Sequence, residues 1–183
     1  MSYLIFNLIT YKISKTNNKT PTKNNIKPNL KKPYMKGNPL ENSTQTFLKV
    51  RYCETDQMGI VHHSNYTKYL EVARLEWLTH FNLSYKEMEE KGVFLPVYDL
   101  QIAYKQSAYF DDELTIHTQL AKDVATRMIF DYKIYNQHNQ LLVTASTTLV
   151  FVNAETRKPM VCPDFIKNTL TSKKELKKES ALS

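Results

Sequence analysis

The sequence predicts an α+β domain in which a curved antiparallel sheet wraps one long central helix, and three observations carry that expectation. One helical period runs over residues 65–81, with Tyr66, Tyr69, Leu70, Ala73, Trp77 and Phe81 along a single stripe. Four strand-like runs follow, over 95–107, 113–124, 127–136 and 140–153, with no second long helix among them. Short polar turns at 110–112, 123–126 and 136–140 separate these runs and suit hairpin or meander connections. One helix can dry only one face of a sheet, and Phe130-Asp131-Tyr132-Lys133-Ile134-Tyr135 alternates with the matching period of two.

Ahead of the domain, residues 1–45 read as a disordered basic tail. Lys, Asn, Thr and Pro dominate 15–42, a composition that cannot bury enough apolar surface to offset the entropy of ordering. The formal charge of +7 belongs to this tail. Residues 1–40 hold eight Lys, no Arg and no acid, which leaves 17 of the 25 basic groups against all 18 acidic ones in the remainder. The domain itself is therefore near neutral, and no nucleic-acid partner is expected. The tail has three readings: a targeting peptide, an arm for acidic surfaces, or a stretch upstream of a true translation start at Met35. The last is the expected one.

The domain is expected over residues 46–170. Residues 47–52 alternate as a strand, and the long helix follows with Ser64 or Asn65 as its N-cap. Glu71 and Arg74, three apart, read as a pair on the helix surface. A short second helix is predicted over 84–91, because Ser84 and Glu87 have capping-box spacing and Gly92 stands where a C′ glycine ends a helix. After the strands, a weak helix over 163–170 gives way to a Lys-rich tail at 171–183.

Cys53 and Cys162, the two cysteines of the chain, lie far apart and outside any metal-like spacing, so neither a disulfide framework nor a metal site is expected. A reduced, cytoplasmic compartment is the corresponding expectation. The apolar stretch at 3–13 is broken by Asn7, Thr10 and Lys12 and falls short of the roughly 20 apolar residues that cross a bilayer. No stable membrane insertion is expected.

Chemistry concentrates between the first strand and the long helix, in Tyr52-Cys53-Glu54-Thr55-Asp56-Gln57-Met58-Gly59-Ile60-Val61-His62-His63-Ser64-Asn65-Tyr66. A carboxylate and two imidazoles stand beside a helix N-terminus, whose free N–H groups and positive dipole end stabilise a developing oxyanion. Each group also has a plainer reading. Asp56 can cap a turn before Gly59, and Trp77 with the tyrosines can be core. A metal held by His62, His63 and Glu71 is disfavoured, since adjacent side chains diverge and helical His spacing is absent.

Thr55-Asp56, Gly59-Ile60-Val61, His63, Asn65 and Tyr66, followed by Glu71, Arg74 and Glu76, closely resemble the signature of the 4-hydroxybenzoyl-CoA thioesterase-like branch of the hotdog fold, which includes the Tol-Pal-associated acyl-CoA thioesterases. The run from Val150 to Pro159 resembles that family's last strand and turn. The resemblance implies hydrolysis of acyl-CoA to free acid and coenzyme A, without metal or redox cofactor. It implies Asp56 as nucleophile or general base, with His63 as a second catalytic group. The His63 backbone N–H would be the oxyanion donor, with Ser64 and Gly59 in the supporting loop. His62, Asn65 and Tyr66 would contact substrate. It also implies a homodimer or a homotetramer built from dimers, with sites between subunits. His62 stands where many relatives carry Tyr or Phe, and Asn153 where an acid is common. A non-catalytic acyl-CoA or acyl-carrier-protein binding module is the alternative. A hotdog dehydratase fits less well, because such enzymes place their His and acid on different elements.

Overall fold

A computed structural model of the chain describes residues 42–122 and 124–171. Nearly all of the expected basic tail, and all but the first residue of the Lys-rich segment, lie outside the described residues. In chain order the elements are β1 (Ser43–Lys49), a single 3-10 turn (Tyr52–Glu54), α1 (His63–His80), α2 (Tyr85–Glu90), β2 (Val93–Phe94), β3 (Val97–Tyr104), β4 (Glu113–Leu120), β5 (Arg127–Tyr135), β6 (Leu141–Val150) and β7 (Val152–Asn153). Residues 164–171 are helical. Five strands form one curved antiparallel sheet in the order β1-β4-β5-β6-β3, and β2 pairs with β7 in a separate two-stranded ladder. The predicted α+β class and helix-wrapping sheet are therefore present.

Alternation places the core. Leu114, Ile116, Thr118 and Leu120 of β4, and Met128, Phe130, Tyr132 and Ile134 of β5, point to the helix side and are buried. The stripe from Tyr66 to Trp77, continued by Phe81, is buried against them. Trp77 is its anchor: its ring stacks on Phe81 at 4.2 Å, meets Phe130 edge-on at 4.9 Å, and its N–H donates to the Asn42 carbonyl at 2.9 Å. Glu76 adds a polar tie by accepting the Thr46 hydroxyl of β1 at 2.6 Å.

The first strand begins earlier than expected and ends at Lys49, so Tyr52 opens the 3-10 turn instead of closing the strand. The run over 140–153 is interrupted at Phe151, where the chain leaves the main sheet to form β7. The polar stretch at 110–112 is not a hairpin. β3 pairs with β6 at one edge of the sheet, whereas β4 lies next to β1, so residues 105–112 carry the chain across from one side to the other. Turn residues report a change of direction, and they do not report how far the next strand lies.

β3 behaves unlike its neighbours. Among the described residues its outer edge is unpaired, and seven of its eight residues are exposed on both faces, among them Val97, Tyr98, Leu100 and Tyr104. Elsewhere the chain turns economically. Gly59 and Gly92 have φ of +77° and +74°, and the other left-handed positions among the described residues are Asn82, Asp111, Asn139 and Arg157. Ser84 caps α2 by accepting the Glu87 N–H at 3.2 Å, and Gly92 follows its C-cap. Asn153 accepts the Glu155 and Thr156 N–H groups at 3.1 and 2.8 Å, so the residue found in place of an acid stabilises the last turn.

Trp77→Ala is expected to destabilise the domain by about 3–5 kcal/mol, and Trp77→Phe by less, since the latter loses mainly the bond to Asn42. Urea unfolding of the variants checks the order and the size.

Candidate active site

The loop between β1 and α1 is organised around Glu54, a residue that carries no assignment from sequence. It is 4% exposed. One carboxylate oxygen accepts Arg51 Nε and Nη2 at 3.0 and 2.7 Å, and the other accepts the Arg51 backbone N–H and the Tyr69 hydroxyl, both at 2.8 Å. Burial alone would push the carboxyl up, but these donors outweigh it and hold the group below its ordinary value of 4.5. The Tyr69 hydroxyl is pushed up in turn, by its burial and by the adjacent carboxylate. The Glu54 carbonyl accepts the His62 N–H at 2.9 Å and the Asn65 side-chain amide at 2.8 Å. Both ends of the loop are thereby tied to one residue.

Between those ties, Thr55 and Val61 pair across the loop, and Asp56 donates its N–H to the Ile60 carbonyl at 2.9 Å. Gly59 closes the turn with its N–H on the Asp56 carbonyl at 2.9 Å, in a left-handed conformation that an L side chain would strain. Asp56 Oδ1 accepts the Met58 N–H at 2.8 Å, so this carboxylate does form an Asx turn. Among the described residues Oδ2 has no partner. The crossing segment 105–112 braces the loop from outside, through Val61 N–H on the Ala108 carbonyl at 2.8 Å and a bridge between Ile60 and Tyr109.

The helix begins two residues earlier than expected. His62, not Ser64 or Asn65, is the N-cap: it has extended backbone, and its Nδ1 accepts the Ser64 N–H at 3.3 Å and lies 2.8 Å from Ser64 Oγ. An unprotonated imidazole nitrogen offers the lone pair that Ser or Asp usually supplies. The His62 and His63 rings lie together at 4.1 Å, contrary to the expected divergence. Among the described residues no group of three His, Cys, Asp or Glu is arranged to hold a metal ion.

His63 is the first residue of α1. The N–H groups of its neighbours are taken, that of His62 by Glu54, Ser64 by the cap and Asn65 by the His62 carbonyl at 2.9 Å. Among the described residues the His63 N–H has no acceptor. Its carbonyl accepts the Tyr104 hydroxyl at 3.3 Å, which links β3 to the helix start.

Asn65 and Tyr66, expected at the substrate, are both buried. The Asn65 amide is held by Glu54 and Lys68, and the Tyr66 hydroxyl accepts the Ala108 N–H at 3.4 Å while its ring meets Tyr104 at 5.4 Å. Arg74 corrects a further expectation. It is only 6% exposed, with Glu71 3.9 Å away and Nε unpartnered among the described residues, because position 74 lies beside the apolar stripe and not on the wet face. Two hollows, of about 470 and 340 Å³, flank α1; Arg51, Glu54, Lys68 and Tyr69 line the smaller, and Asp56 lines neither.

Residues 50–170 match the family model of the thioesterase-like superfamily. YneP of Bacillus subtilis is 36% identical over 113 residues, covering 62% of this chain and 82% of its own. The Escherichia coli acyl-CoA thioester hydrolase YbgC is 32% identical over 119 residues, covering 65% and 89%. The crystal structure of a DHNA-CoA thioesterase from Staphylococcus aureus superposes with a TM-score of 0.67 at 32% identity, covering 75% of this chain and 95% of that one.

Because Glu54 titrates lower in the folded chain than in the unfolded one, its contribution to stability is present above 4.5 and is lost as pH falls through its folded value. Glu54→Gln should therefore flatten the acid side of a stability–pH profile measured by urea unfolding. His62→Ala should cost about 1 kcal/mol and His62→Asn much less, since Asn restores a capping oxygen; thermal unfolding at neutral pH distinguishes them.

Proposed function

The chain belongs to the thioesterase-like superfamily, and on that premise we propose that it hydrolyses acyl-CoA thioesters to a free carboxylic acid and coenzyme A. A thioester carbonyl is already electrophilic and a thiolate leaves without strong acid assistance, so the reaction needs an anionic attacker or base and an oxyanion site. No metal or redox cofactor enters that chemistry. Asp56 supplies the carboxylate. It either adds through Oδ2 to the carbonyl carbon, expelling CoA thiolate to leave a mixed anhydride that water opens, or it takes a proton from the water that attacks.

The observation that carries this reading is the His63 N–H. It stands at the positive end of α1 with no acceptor among the described residues, while the N–H groups on either side are engaged. A donor left over at that point is suited to the oxyanion of the tetrahedral intermediate, and such donors are worth about 3–4 kcal/mol in other enzymes. Since the donor is backbone, the His63 imidazole is a separate contributor that orients water or shares the proton of Asp56. The Asx turn supports the same role, because the Met58 N–H engages Oδ1 while Oδ2 has no partner among the described residues.

The assembled unit is proposed to be a dimer or a tetramer built from dimers. The open edge and uncovered faces of β3 support this, since a long apolar edge strand invites pairing with another copy. The Tyr104 hydroxyl ties that edge to His63, so the subunit contact would adjoin the site. A reduced, cytoplasmic setting is proposed with it; both cysteines are free thiols, and among the described residues no helix is long and apolar enough to cross a membrane.

Asp56→Asn keeps an oxygen for the Met58 N–H, so its melting temperature should stay within about 2 °C of wild type while kcat falls by about 10²–10⁴ with little change in KM. Thiol release from a panel of acyl-CoAs measures this, and equal turnover by both proteins would remove Asp56 from the mechanism. Leu100→Lys should shift the assembly toward monomer in light scattering and reduce activity by roughly tenfold or more.

A further inference from the structure

We infer that Glu54 is a positioning residue, which fixes the Asp56 carboxylate relative to the His63 N–H and takes no part in the chemistry itself. This rests on the proposed thioester hydrolysis and assigns a residue that the reading does not use.

Saturation argues against a chemical role. A carboxylate offers about four acceptor sites, and those of Glu54 receive Arg51 Nε, Arg51 Nη2, the Arg51 N–H and the Tyr69 hydroxyl. At 4% exposure it also presents little surface to water. No lone pair remains to accept a proton from a nucleophile.

Connectivity argues for positioning. The carboxylate joins the exit of β1 to the second turn of α1, through Arg51 and Tyr69. The carbonyl joins the near end of the loop to the helix start, through His62 and Asn65. The segment 55–61 is thus closed as a ring with both ends on Glu54, and Asp56 lies two residues inside it. His63 follows immediately after the far tie. The hydrogen bonds of Glu54 thus reach the strand exit before that segment and the helix start after it, which carries the proposed oxyanion donor. A buried ion is a poor way to gain stability alone, because apolar side chains of similar volume often do as well. Its return lies in fixed geometry, where a displacement of about 1 Å can cost a hundredfold in rate.

The test compares wild type, Glu54→Gln, Tyr69→Phe, Asp56→Asn and the Asp56→Asn/Glu54→Gln pair, all assayed well below their melting temperatures. In Glu54→Gln an amide NH₂ faces donors on one side, so kcat is expected to fall about 10–100-fold with KM within about threefold. Tyr69→Phe removes a single donor and should lose about two- to fivefold. Because Glu54 acts through Asp56, the pair should be scarcely slower than Asp56→Asn alone, whereas independent effects would multiply. Amide exchange over residues 55–63 should quicken at least tenfold in Glu54→Gln. Wild-type kcat in Glu54→Gln, or a full multiplicative loss in the pair, overturns the inference. If Glu54→Gln does not fold, Tyr69→Phe carries the same comparison with Asp56→Asn. If wild type turns over no acyl-CoA, the thioesterase reading fails on its own, and unchanged exchange at 55–63 then rejects the positioning role while faster exchange retains it.

Discussion

A carboxylate taken out of water must be compensated by donors at fixed places, and the Glu54 carboxylate imposes that requirement on the loop between β1 and α1. Its donors come from the strand exit and from the second turn of the helix, so both must be in place before the charge is compensated. The carbonyl of the same residue then takes the His62 N–H and the Asn65 amide. The helix start and the N-cap residue are both tied to that one buried residue.

The larger architecture serves the same end. α1 is held along its length by apolar burial, with Trp77 as the largest fully buried side chain, while its first turn faces the loop that precedes it. The crossing segment 105–112 spans the distance between the β3 edge and β4, and on the way it hydrogen-bonds Val61 and bridges to Ile60. A crossover connection and a brace for the loop between β1 and α1 are therefore the same stretch of chain. Burial is asymmetric: β4 and β5 have a dry face against α1, while β3 meets the helix start through Tyr104 and is otherwise largely exposed.

Periodicity made the bulk of this fold legible. A stripe at helical spacing from Tyr66 to Phe81, and strict alternation in residues 130–135, each report one covered face, and covered faces are what the fold class consists of. Individual polar groups were less legible, because the same residue type serves at a surface or in a core. Arg74 has the spacing of a surface partner for Glu71 yet is buried, Nε included, because position 74 adjoins the apolar stripe. His62 caps the helix although histidine is an unusual capping residue, and only the position of Nδ1 over the Ser64 N–H reveals it. Glu54 carries no motif of its own. Its burial depends on Tyr69, fifteen positions along the chain, and a pairing at that separation leaves no periodic trace. The order of the strands was equally hidden, because the polar residues at 110–112 look the same whether a hairpin or a crossing follows.

The distribution of left-handed residues has a thermodynamic side. The whole chain contains three glycines, and the two that are described, Gly59 and Gly92, both occupy positive φ. Asn82, Asp111, Asn139 and Arg157 accept left-handed strain in the folded state where a glycine would avoid it. The unfolded ensemble offsets part of that strain. Every position that is not glycine begins with fewer backbone conformations to surrender, and the difference between glycine and alanine is worth roughly 0.4–1 kcal/mol per site. Part of what keeps this domain folded is therefore invisible in any of its contacts, and resides in the stiffness of the chain before it folds.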